Sequence, residues 1–168
     1  MIEFKEGVKN DYMLQEKIFI LVPMTLLAIF GLNYSWKQEG NFQKTITSGF
    51  VVAILIIWLG GGSLVSLISF LLTLGFALST IFYGIKVKQL TKLERFSIVS
   101  LGFFLSFVSI SKMQHLPFVN PLRASLIIPI VLFVILNIKT KKKQNKEFGF
   151  SLIMVGHLIL EFSKIITY

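Results

Sequence analysis

Cysteine is absent from the 168 residues, and with it go disulfides, thiolate metal sites, iron–sulfur clusters and cysteine nucleophiles. Acid is scarce too. Eight Asp and Glu stand against 17 Lys and Arg, and the single aspartate, Asp11, lies outside every long apolar run. The HExxH, GxSxG and Walker signatures are missing. Together these absences point away from an enzyme and imply no cofactor.

What remains is mostly apolar. Hydrophobic residues make up 54% of the chain and charged ones only 15%, with a mean hydropathy of +0.77. That composition lies outside the usual range of a water-soluble domain and predicts an all-α, polytopic helical bundle whose solvent is the lipid bilayer. The net charge of +9 comes largely from lysines between apolar runs, not from a basic groove interleaved with aromatics. It therefore reads as membrane topology and not as nucleic-acid binding. The opening stretch, MIEFKEGVKNDYMLQEK, mixes charges and has no apolar core or small-residue cleavage site. The first apolar run is expected to serve as its own insertion signal.

A helix needs roughly 20 residues to cross a hydrocarbon core of about 30 Å, so charge-free intervals mark candidate spans. The first runs over 18–36. The next extends over 45–85, which as one helix would be about 60 Å long, enough for two crossings. Gly60, Gly61 and Gly62 divide it, since glycine permits a tight reversal at positive φ. The expected spans are 18–36, 45–59, 63–85, 96–111, 122–138 and 148–168 in a single transmembrane domain over 1–168, with Pro129 kinking the fifth. A re-entrant glycine segment would reduce the six spans to five.

With six spans, the first, third and fifth connections hold Lys37 and Lys44, then Lys86, Lys88, Lys92 and Arg95, then Lys139, Lys141, Lys142, Lys143 and Lys146. The other side holds Lys5, Lys9, Lys17, Lys112, Arg123 and Lys164. The excess puts the three connections in the cytoplasm and both termini outside it, in an inner membrane. No connection is long enough for a soluble catalytic domain, so function is expected within the bilayer or through partners, either a homo-oligomer or other membrane subunits.

Three ionisable residues interrupt the last apolar run, GHLILEFSK. His157, Glu161 and Lys164 fall at i, i+4 and i+7, on one helical face that Tyr168 continues. An ionised carboxylate at that depth costs at least ~2.5 to 3.5 kcal/mol on insertion scales. The plainer reading is that Glu161 pairs with Lys164 or His157, or with Arg123 on another helix, and fixes packing. The alternatives are a carboxyl that takes and releases protons during transport or gating, and a polar contact to a partner subunit or a lipid head group. Metal binding is disfavoured, because His157 and Glu161 supply two ligands and no third is evident. Along 63–85, Ser66, Ser69, Thr73, Ala77 and Thr80 form a small polar stripe that suits close helix packing.

A second motif is SISKMQHLPF, where Lys112, His115 and Pro117 end one apolar run before another begins. As local structure this is a helix C-terminus whose carbonyls attract cations, followed by a proline exit. The surrounding segment, residues 101–136, resembles the K-x-x-H-x-P helical hairpin of Bacteroidota small membrane proteins, among them the L subunit of the gliding-motility and type 9 secretion motor. Gly102, Lys112, His115 and Pro117 match that hairpin, while Leu116 stands where the family has Trp and Phe118 where it usually has Gly. The resemblance implies a hairpin tip facing away from the cytoplasm, the side also given by the charge count. The motor's acidic residue in the second helix has no counterpart here, so the resemblance does not extend to proton-driven motor activity. Finally, ISKM at 110–113 and FSKI at 162–165 echo one another, which would make Lys112 and Lys164 anchors at one interface.

The sequence thus points to a non-enzymatic membrane component, a scaffold or accessory subunit of an assembly. A proton-coupled transporter or channel-like element using Glu161 and His157, and a substrate-binding subunit of an ATPase-driven importer, are the alternatives.

Overall fold

The computed structural model describes residues 21–37, 40–58, 62–114, 119–140 and 146–163. Among them all regular secondary structure is α-helical: α1 (Leu21–Trp36), α2 (Asn41–Trp58), α3 (Ser63–Lys86), α4 (Lys92–Met113), α5 (Val119–Ser125), α6 (Ile127–Lys139) and α7 (Phe148–Ser163). Three stretches, Ser63–Lys86, Lys92–Ser111 and Pro121–Lys139, are long and apolar enough to cross a membrane. Three shorter apolar helices accompany them, within Leu21–Trp36, Asn41–Ile56 and Phe148–Phe162.

Several helices run past the charge-free intervals. Helix α4 begins at Lys92, four residues before the interval at 96, because Thr91 and Glu94 form a capping box. Thr91 N donates to Glu94 Oε2 at 2.7 Å, and Glu94 N donates to Thr91 Oγ1 at 3.3 Å, so two otherwise orphaned backbone donors are met. Charge limits where a chain can enter lipid, but it does not limit where a helix can be hydrogen-bonded. The fifth apolar run is broken at Leu126, three residues before Pro129. Pro129 has no N–H and its ring crowds the carbonyl four residues back, so the disturbance falls one turn upstream. Leu126 N bonds instead to Arg123 O at 3.1 Å.

The long apolar interval over 45–85 forms two antiparallel helices. Ser69 Oγ donates to the Ala53 carbonyl at 3.0 Å, and Gln43 meets Tyr83 at the far end of the same pair. Gly62, the residue before α3, has φ −90°, so it is extended and needs no positive φ; Gly60 and Gly61 lie outside the described residues. Helix α3 also packs antiparallel on α4, where Gly102 faces the Ala77 carbonyl and Gly84 faces Val99. The small-residue stripe serves these contacts. Ser69, Thr73, Ala77 and Thr80 are buried and Gly84 extends the row, whereas Ser66 is exposed.

Helix α7 occupies the centre. It packs against α2, α4, α5 and α6 and crosses α1 where Gly31 and Gly149 meet. A Cβ on Gly149 would lie 2.6 Å from the Gly31 carbonyl and 2.0 Å from Ser35 Oγ. Among the described residues of α7 only Ile159 is exposed. The other helices turn large apolar side chains outward: Leu26 and Phe30 on α1, Leu71 and Phe82 on α3, Phe96 and Phe103 on α4, Val131 and Ile138 on α6. An aqueous protein rarely exposes so continuous an apolar surface.

The pairings sort the helix ends into two sets. The C-termini of α1, α3 and α6 lie with the N-termini of α2, α4 and α7, and this end carries Lys37, Lys44, Lys86, Lys88, Lys92, Arg95, Lys139 and Lys146. The opposite end holds Arg123.

The α1–α7 crossing has no room for a side chain. Gly149→Val is expected to lower stability by about 1 to 3 kcal/mol or to abolish folding. Gly75→Ala, where a Cβ meets nothing within 4 Å, is expected to be neutral or stabilising by up to about 1 kcal/mol. Thermal unfolding of both variants in mild detergent checks the contrast.

Candidate functional site

Two polar clusters interrupt the apolar interior, one at each end of α7. At the basic end, Glu147 is the residue before α7, and its carbonyl accepts the first hydrogen bond of that helix from Ser151 N at 3.2 Å. Its side chain is 5% exposed. Tyr83 Oη donates to Glu147 Oε1 at 2.7 Å. Gln43 Nε2 donates to Tyr83 Oη at 2.7 Å and reaches Glu147 Oε1 at 3.4 Å. One buried carboxylate oxygen thus gathers the start of α2, the end of α3 and the start of α7.

Local structure prepares each partner. Gln43 lies in the first turn of α2 and folds back over Gly40, where a Cβ would sit 1.8 Å from Gln43 Oε1. The Tyr83 ring is stacked on Phe42, with centroids 4.2 Å apart and planes 7° from parallel, and it meets the edge of Phe150 at 6.3 Å. These contacts fix the phenol in the position from which it donates. The polar path continues along α2: Thr47 Oγ1 donates to the Gln43 carbonyl at 2.7 Å and lies 2.8 Å from Ser35 Oγ on α1. Ser35 lies at the α1–α7 crossing, against Gly149.

At the opposite end, Glu161 is buried in the last turn of α7, and Arg123 approaches it from α5. Arg123 Nη2 and Glu161 Oε2 are 3.8 Å apart, with side-chain exposures of 17% and 6%. This is a charge contact, longer than a hydrogen bond. The structure therefore brings together Glu161 and Arg123, the cross-helix alternative among the pairings weighed from sequence. His157 is half-buried one turn before Glu161 on the same helix. Lys164, Tyr168, His115 and Pro117 lie outside the described residues, as does the side chain of Lys112. Among the described residues no three His, Asp or Glu side chains come close enough to hold a metal ion.

The cluster around Glu147 escaped sequence reasoning. Glu147 closes the lysine-rich connection KTKKKQNKE, whose composition speaks only of topology, and its partners lie 64 and 104 residues away. One local signal was present. A lone acid after five lysines, directly before an apolar run, stands where a helix N-terminus favours negative charge.

Tyr83→Phe removes the donor nearest Glu147 while keeping the ring stack, and is expected to cost about 1 to 3 kcal/mol through the buried acceptor left behind. Adding Glu147→Gln to Tyr83→Phe is expected to cost less than the sum of the two single changes, because they share one interaction. A double-mutant cycle by thermal unfolding in detergent measures this; strict additivity would show that the pair is not coupled.

Comparisons with family models, with curated proteins and with solved structures each returned no match.

Proposed function

We propose that the chain is a multi-pass inner-membrane protein that crosses the bilayer six times. Its basic connections lie in the cytoplasm and its termini outside. It acts as a non-enzymatic scaffold or accessory subunit of a membrane assembly. The outward apolar side chains on α1, α3, α4 and α6 support lipid as the surrounding solvent. Collection of the basic residues at one end of the bundle supports the orientation.

Six crossings are favoured over five by the pairing of α2 with α3. The two are in contact from Gln43–Tyr83 at one end to Ala53–Ser69 near the other, which a short re-entrant segment would not give. Helix α7 has 16 residues, about 24 Å at 1.5 Å per residue. As the enclosed helix it does not have to match the hydrocarbon thickness by itself.

The observation that carries the structural role is the Arg123–Glu161 contact. The buried acid of α7 faces a fixed cation on α5, an arrangement that neutralises it in place and ties two helices together. A carboxylate held this way serves packing more directly than it serves proton movement. The competing reading, proton coupling through Glu161 with His157, draws on the position of His157 one turn away on α7.

Glu161→Gln separates the two. It keeps the shape and removes the titrating group, so the structural reading expects a loss of stability from the Arg123 charge left without its partner, with no new pH dependence of assembly or cellular phenotype. Loss of a pH-dependent flux in reconstituted vesicles would favour proton coupling. Arg123→Ala alone is expected to destabilise by about 3 to 5 kcal/mol, because it leaves a buried charge behind, and Arg123→Ala with Glu161→Ala to recover part of that loss. Extraction from native membranes in mild detergent is expected to yield a homo-oligomer or a complex with another membrane subunit. Monomers alone, both in detergent and after cross-linking in the membrane, would contradict the assembly role.

A further inference from the structure

The end of the bundle that gathers the lysines carries more positive charge than its own acids neutralise. Glu94 is used by the Thr91 capping box, and Glu147 is buried against Tyr83 and Gln43. Lys86, Lys88 and Lys92 are exposed, and none has a carboxylate within ion-pair distance among the described residues. Lys92 occupies the first position of α4, where positive charge opposes the helix dipole, so helix stability does not explain it.

The cations also adjoin the outer apolar surface. Where the outer apolar surface ends, an exposed large apolar residue is followed or preceded at once by an exposed cation: Trp36 by Lys37 on α1, Ile85 by Lys86 on α3, Ile138 by Lys139 on α6, and Phe96 by Arg95 on α4. Trp36 is 62% exposed and has Lys44 Nζ 6.0 Å from its ring centroid, which suits the headgroup level of a bilayer. The boundary is repeated on four helices.

Resting on the membrane reading above, we infer that this boundary is a binding surface for the phosphate headgroups of anionic phospholipid in one leaflet, with Lys86, Lys88 and Lys92 on the α3–α4 connection forming one of its basic clusters. The acyl chains lie along the apolar residues next to the cations, and the lysines face the phosphate oxygens. At the opposite end Arg123 is largely buried against Glu161.

The test is native mass spectrometry of the full chain in mild detergent, offered phosphatidylglycerol and phosphatidylcholine at equal concentration. Phosphatidylglycerol is expected to bind preferentially, and less so in added salt. K86Q/K88Q/K92Q, which changes only exposed side chains, is expected to weaken that binding on the order of tenfold or more. K86R/K88R/K92R keeps the charge and is expected to bind as the parent does. Equal binding of the two lipids, a glutamine variant that binds like the parent, or an arginine variant that fails to bind would each overturn the inference. Displacement of the lipid by millimolar inorganic phosphate would also overturn it, by showing that the site takes free phosphate. A chain that fractionates with soluble proteins before any lipid is added would overturn the membrane reading as well, whereas a membrane-resident chain indifferent to headgroup charge would overturn this inference alone.

Discussion

A helix enclosed by other helices must meet its polar groups with protein, and α7 is enclosed. Helices α1, α2, α4, α5 and α6 all touch it, and Ile159 is its only exposed residue among those described. Enclosure demands small residues where backbones cross, which Gly31 and Gly149 supply. It also demands partners for every buried charge. Glu161 lies within the helix and Glu147 immediately before it, and each is held by a side chain from another helix, Arg123 and Tyr83 respectively. Fourteen residues separate the two acids, about 21 Å along a helix, so they brace opposite ends of the same central element.

These two joints differ in kind. Glu147 accepts one hydrogen bond of good length from a phenol held in a ring stack, and the network continues through Gln43 and Thr47 to Ser35. It unites four of the helices at the basic end. The Arg123–Glu161 contact is longer and joins α7 to the short α5, next to the break at Leu126. A joint of this second kind stabilises mainly by avoiding an unpaired buried charge, and losing one partner costs more than losing both. In the proposed membrane setting, such charge pairing sets which helices meet, because apolar contact with lipid and apolar contact with protein differ little.

Much of the architecture was legible because a bilayer-like composition makes few choices available. Charge-free intervals gave the helices, the glycine run marked where the long interval divides, and lysine distribution separated the two ends. In the row spaced along α3, Ser69, Thr73, Ala77 and Thr80 are buried and Ser66 is exposed, because spacing alone does not tell which positions of a face a neighbour covers. Glu161 stands out in the sequence as an acid inside an apolar run, and Arg123 is one of the few cations available to it. Glu147 does not stand out, although it is buried as deeply. Its surroundings in sequence are lysines and its surroundings in space are Tyr83 and Gln43, and one sequence contains no periodicity that links positions 43, 83 and 147. The break at Leu126 was displaced for a simpler reason: proline disturbs the turn before it.

Absence of cysteine, the first feature of the sequence, makes the decisive measurement simple, since any introduced thiol is the only one present. Lys88→Cys and Gln114→Cys place single thiols at exposed positions just before and just after α4. Right-side-out membrane vesicles would be treated with a membrane-impermeant maleimide before and after permeabilisation. The proposed arrangement predicts that the thiol at position 114 reacts in sealed vesicles and that the one at position 88 reacts only after permeabilisation. Reaction of both thiols in sealed vesicles, or the reverse order, would contradict it.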